Sequence, residues 1–166
     1  PSFHDPSAAM DPASPVQLID LDSGTRLPMF AELDAHPDCE HGVDCALLIR
    51  PLQAMAFGTR HAVVLTDALL DTSGSSIAAP PGFAGLRDGS PAAALQPLAS
   101  DYDALFGELD GLALSRDQLV LAWELVTGSE ATTHAHLDHV FEVTRQALPA
   151  DPELAPTYEV TRAWST

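Results

Sequence analysis

No apolar run in this chain outlasts a single strand. The fullest, residues 119 to 126 (LVLAWELV), carries Glu124 inside it, and it falls far short of the roughly 20 residues needed to span a bilayer. The runs at 16–21, 46–52 and 60–66 are equally short, and turn clusters such as Asp22-Ser23-Gly24, Phe57-Gly58-Thr59 and Asp71-Thr72-Ser73-Gly74-Ser75-Ser76 separate them. Punctuation of this kind leaves one route to a core, which is to pack short strands and amphipathic helices against each other.

The period of the pattern assigns the elements. Val16 to Leu21 reads as a strand entering a tight turn, with Arg26 to Leu33 returning as its partner. Ala46 to Leu52 and Arg60 to Thr66 read as antiparallel neighbours, and Leu119 to Thr127 as a well-buried central strand. From residue 92 to 111 Leu95, Leu98, Tyr102, Leu105, Phe106 and Leu109 recur at three- and four-residue steps, so a helix is expected there, interrupted near Pro97. Leu137, Val140, Phe141, Thr144 and Leu148 share a second helical face, with Ser129 or Thr132 as N-cap. Thr157 to Trp164 alternates like a last strand. Residues 1–15 contain Pro1, Pro6, Pro12 and Pro15 and are expected to be an irregular lead-in, with residues 16–166 forming one domain. The expected class is α+β around a mainly antiparallel sheet.

Charge narrows the partners. The net charge is −17 and all seven basic residues are Arg. Nucleic-acid affinity rests largely on cations meeting phosphates, so DNA, RNA and anionic lipid are disfavoured. A hydrophobic content of 46% is that of a folding chain rather than a disordered one. No transmembrane segment is expected.

Two clusters carry metal-ligand chemistry. Thr133-His134-Ala135-His136-Leu137-Asp138-His139 is similar to the HxHxDH signature of the metallo-β-lactamase superfamily, and that resemblance implies zinc ligands at His134, His136, Asp138 and His139 and a metal-bound hydroxide. The surroundings depart from that family. The motif follows a polar stretch instead of a buried strand, a helical period continues through Val140-Phe141-Glu142-Val143, and no His follows His139. Three readings stay open: solvated histidines on a helix, a non-hydrolytic metal site, or a hydrolase fragment. The second cluster, His36, Cys39, His41 and Cys45, has spacing that suits either zinc or a Cys39–Cys45 disulfide, and cysteine parity favours the disulfide. No nucleophile elbow or phosphate-binding glycine loop occurs, so no catalytic or organic-cofactor residue is assigned.

From Asp11-Pro12-Ala13-Ser14-Pro15-Val16-Gln17-Leu18-Ile19-Asp20 through Leu48-Ile49-Arg50-Pro51-Leu52, Gly58-Thr59-Arg60-His61-Ala62-Val63-Val64-Leu65 and Leu121-Ala122-Trp123-Glu124-Leu125, the chain resembles the N-terminal Ig-like region of bacterial exported lipase-like and esterase-like proteins. The match sets His61 where an aromatic is usual. This resemblance implies an Ig-like sandwich or sheet with two packed helices, non-catalytic itself, belonging to a longer polypeptide whose serine hydrolase lies elsewhere. It also implies a secreted or cell-envelope location and, as partner, another domain or chain of the same protein. A structural or assembly subunit that accepts a strand from a neighbour at an open sheet edge, with a homo-oligomer as one form of it, is the remaining expectation.

Overall fold

The computed structural model describes residues 6–34 and 45–147. It divides into two compact units, one ending at Gly128 and one beginning at Ser129. The first is α+β. Strands β1 (Val16–Asp20), β2 (Thr25–Arg26), β3 (Met29–Leu33), β4 (Leu47–Pro51), β5 (Arg60–Thr66) and β6 (Leu119–Val126) accompany helices α1 (Pro81–Arg87) and α2 (Ala99–Asp110). A four-stranded sheet runs in the order β2-β1-β5-β6, and β3 and β4 form a separate two-stranded sheet. Every pairing is antiparallel.

Strand alternation gives the four-stranded sheet two buried faces. On one, Ile19, Ala62, Val64 and Ala122 meet Phe83 of α1 and Leu105, Phe106 and Leu109 of α2. On the other, Val16, Leu18, Val63 and Val120 meet Met29, Leu47 and Ile49 of the β3–β4 pair. The order is therefore helices, sheet, hairpin. Phe83, Tyr102 and Phe106 pack their rings at tilted to near-perpendicular angles with centroids 5.7 to 6.0 Å apart. Such edge contacts add about 0.5 to 1.5 kcal/mol each beyond area burial.

Several local expectations give way to the structure. Arg26 to Leu33 does not return as one strand. Arg26 pairs with Ile19 of β1, whereas Met29–Leu33 pairs with β4. Strands β4 and β5 are not neighbours, since β5 sits between β1 and β6. Strand β6 lies at the edge of its sheet, and its apolar density arises because helices and hairpin cover its two faces. Residues Pro80-Pro81-Gly82 open helix α1, because proline's fixed φ suits the first turn, where no N–H partner is needed. Proline also shapes the lead-in, where a 3-10 helix spans Pro6–Met10 and Ala9 is fully buried under the hairpin-side core. Helix α2 begins beyond Pro97, behind a short 3-10 turn at Gln96–Leu98, and carries Asp101 in its first turn.

The turn from β1 to β2 needs Gly24. Its φ is +68°, and a Cβ there would stand 3.1 Å from Leu112 Cδ2.

The second unit holds helix α3 (Glu130–Ala147). Ser129 caps it, its hydroxyl accepting the Thr132 N–H at 3.1 Å. Leu137, Val140, Phe141 and Val143 are exposed, at 50 to 69%. The expected strand at Thr157–Trp164 lies outside the described residues. No described helix is long and apolar enough to cross a membrane.

Candidate binding site along the free edge of β6

The two ends of the main sheet differ. Strand β2 ends it on one side with two residues, Thr25 and Arg26, too few to template a further strand. Strand β6 ends it on the other side with eight residues. Near its start the edge is occupied, because the Arg87 guanidinium on α1 donates to the Leu119 carbonyl at 2.9 Å. Beyond that, no described residue pairs with the outer edge of Leu121–Val126. Edge strands in monomers are usually blunted by Lys, Pro or bulges. This stretch reads Leu-Ala-Trp-Glu-Leu-Val and has Glu124 as its one charge.

A depression flanks this edge on each face. Toward the helices, a groove of about 580 Å³ is lined by Leu98, Asp101 and Tyr102 of α2 and its approach and by Trp123, Glu124 and Val126 of β6, with Arg60 beneath. Toward the hairpin, a cleft of about 330 Å³ is lined by Leu47, Ile49, Pro51, Met55, Trp123 and Leu125. Trp123 and Leu125 border both, so the edge strand is the ridge between them.

The two depressions differ in charge. The cleft has no ionisable residue in its lining. In the groove, Arg60 forks between Glu124, at 2.8 Å and 2.9 Å, and Glu108, at 3.1 Å and 3.3 Å. The Arg60 hydrogen bond holds the Glu124 carboxyl below the usual range. The groove lining carries one guanidinium, Arg60, and two carboxylates, Asp101 and Glu124, and Glu108 outside the lining shares that guanidinium, so the groove is net acidic.

The metal-ligand candidates are placed differently. His134, His136, Asp138 and His139 are all exposed on α3. Helical spacing puts His134 with Asp138 on one side and His136 with His139 on another. Among the described residues no group of three or more His, Cys, Asp or Glu is gathered for a metal ion. In the second cluster His36, Cys39 and His41 lie outside the described residues, and Cys45 is disulfide-bonded. Sequence reasoning expected an open sheet edge but did not place it at β6, because an apolar strand reads the same whether one or both of its edges are paired.

Neither a protein-family model, a curated protein nor a solved structure matches the chain.

Proposed function

We propose that this chain is a non-catalytic binding module that engages another polypeptide through the open edge of β6. The observation that carries the reading is the asymmetry of the main sheet. One edge is reduced to two residues, while the other is long, apolar and bordered by recesses on both faces. A charge of −17 supports a protein partner over nucleic acid. The resemblance to the N-terminal region of exported lipase-like proteins supports an accessory role there, secreted or in the cell envelope, with a domain or chain of the same protein as partner. Face-to-face packing of the β3–β4 pair on the main sheet supports the Ig-like half of that resemblance, and the helical layer goes beyond it.

The test has two arms. A photoreactive residue at Val126, 63% exposed at the end of β6, is expected to give a discrete adduct with a partner protein, while the same residue at exposed Asp71 gives none. Purified chain, assayed on ester and metal-dependent hydrolase substrates with and without zinc, is expected to show no turnover. Turnover that disappears in His136→Ala overturns the reading, and so does labelling that is equal at the two positions.

A further inference from the structure

Resting on the reading that β6 is a docking edge, we infer that its occupant is an extended peptide segment alternating apolar and basic side chains, added to the sheet as a further strand. The argument follows from strand geometry. A strand paired to β6 turns successive side chains to opposite faces. On the hairpin face they meet the uncharged cleft of Leu47, Ile49, Pro51, Met55 and Leu125. On the helix face they meet the groove of Asp101, Glu124 and Tyr102, where two carboxylates outnumber the one guanidinium, Arg60, which Glu108 also engages. One face therefore selects apolar groups and the other cations.

The free stretch fixes the length. Arg87 occupies the Leu119 carbonyl at one end, and at the other the strand itself ends at Val126. The open interval Leu121–Val126 spans about 20 Å at roughly 3.3 Å per residue. An incoming strand of about six residues fills it, placing about three side chains on each face.

A second copy of this chain fits less well. Its β6 would bring another Glu124 and another acidic groove against the first, and each copy carries a net charge of −17. A basic segment removes that repulsion, and its stem carbons can lie against Leu98 and Tyr102 while the cation reaches Asp101.

The experiment uses the full chain, isotope-labelled for amide NMR, and three synthetic peptides: alternating Val-Arg, alternating Val-Glu, and a Val/Arg peptide of the same composition in two blocks. We expect the alternating Val-Arg peptide to bind, shift the amides of Leu121–Val126 and slow their hydrogen exchange, with affinity falling as salt is raised. Asp101→Asn is expected to weaken binding about tenfold and flatten the salt dependence, and Met55→Glu to weaken it by a similar factor. Asp101 is exposed and Met55 is partly buried against the margin of the hairpin-side core, so unchanged circular dichroism is required to confirm folding. The inference is overturned if the Val-Glu or block peptide binds equally well, if binding leaves the β6 amides unchanged, or if those amides are already protected without peptide because another strand fills the edge. A partner adduct at Val126 with no peptide binding retains the docking edge and removes only this choice of occupant.

Discussion

Arg60 and Glu124 form a two-pronged pair across the β5–β6 ladder. Nε of Arg60 donates to Oε1 at 2.9 Å and Nη2 donates to Oε2 at 2.8 Å. The two are diagonal neighbours on the helix-facing side, since Arg60 stands opposite Val126 and Glu124 opposite Ala62. The second guanidinium edge reaches Glu108 of α2, so one side chain ties the edge strand to the helix layer.

The pair predicts a pH dependence. Hydrogen bonding to Arg60, more than its Coulomb field, lowers the Glu124 pKa in the fold. A depressed folded-state pKa contributes stability that is present above the ordinary glutamate value and is lost as pH falls through the depressed one. Because Glu124 is about one-third exposed, its contribution is limited to about 1 kcal/mol. Thermal melts from neutral pH downward should show Glu124→Gln less stable at neutrality and converging on the parent only as pH falls below the ordinary glutamate range. Parallel curves at all pH values would contradict the assignment.

Ala113 adopts φ of +64°, the one described non-glycine residue with positive φ. It follows α2, where the Leu114 N–H returns to the Leu109 carbonyl at 3.0 Å, so the left-handed residue closes the helix end. A side chain in that region costs roughly 1 kcal/mol relative to glycine. Ala113→Gly should raise the melting temperature by a few degrees, and a lower value would show that the methyl group's packing outweighs the backbone strain.

How far the pattern in the residues revealed the fold depends on the kind of information each element needs. The extents of β1, β5 and β6 follow from their apolar runs, and α2 follows from its three- and four-residue steps, because these are local properties. Pairing order is not local. The run Ala46 to Leu52 fits β5 as well as it fits β3, and what decides is that Leu47 and Ile49 cover Val63 from the adjacent layer. The candidate site was hidden for the same reason, since nothing in Leu-Ala-Trp-Glu-Leu-Val tells an edge from a centre. Glu124 was the available signal, a carboxylate inside an apolar strand that implies a cation within reach, and Arg60 meets it.

His61 is fully buried in β5, and among the described residues its Nε2 has no hydrogen-bond partner. Its Nδ1 lies 3.0 Å from the Thr59 carbonyl, which also accepts from the Thr127 N–H at 3.1 Å and the Thr127 hydroxyl at 3.2 Å. Removing the imidazole therefore leaves that carbonyl bonded while relieving an orphaned ring nitrogen. His61→Leu should match or exceed the parent in urea unfolding, by up to about 1 kcal/mol. Leu18→Ala, an apolar truncation at a fully buried position of β1, should lose about 3 kcal/mol. A comparable loss in His61→Leu would show that the imidazole makes contacts worth more than its unsatisfied nitrogen costs.

The histidine-rich segment provides a prediction about metal. On an α-helix each residue turns about 100°, which sets the His134–Asp138 pair roughly 150° away from the His136–His139 pair. A tetrahedral zinc ion needs its ligands converged at about 2.0 to 2.3 Å, and a helix of this regularity offers it one pair at a time. All four side chains are exposed on α3, so water competes for any ion that a pair attracts. Protein purified without an affinity tag should carry substoichiometric zinc by elemental analysis, and its melting temperature should not respond to chelator, since a metal bound only weakly to the fold shifts stability little. His136→Ala and His139→Ala should weaken any residual binding equally, because they remove alternate members of the same pair. One tightly bound zinc per chain, lost in His136→Ala and accompanied by a fall in melting temperature, would instead require ligands from beyond α3 and would return the segment to hydrolytic chemistry.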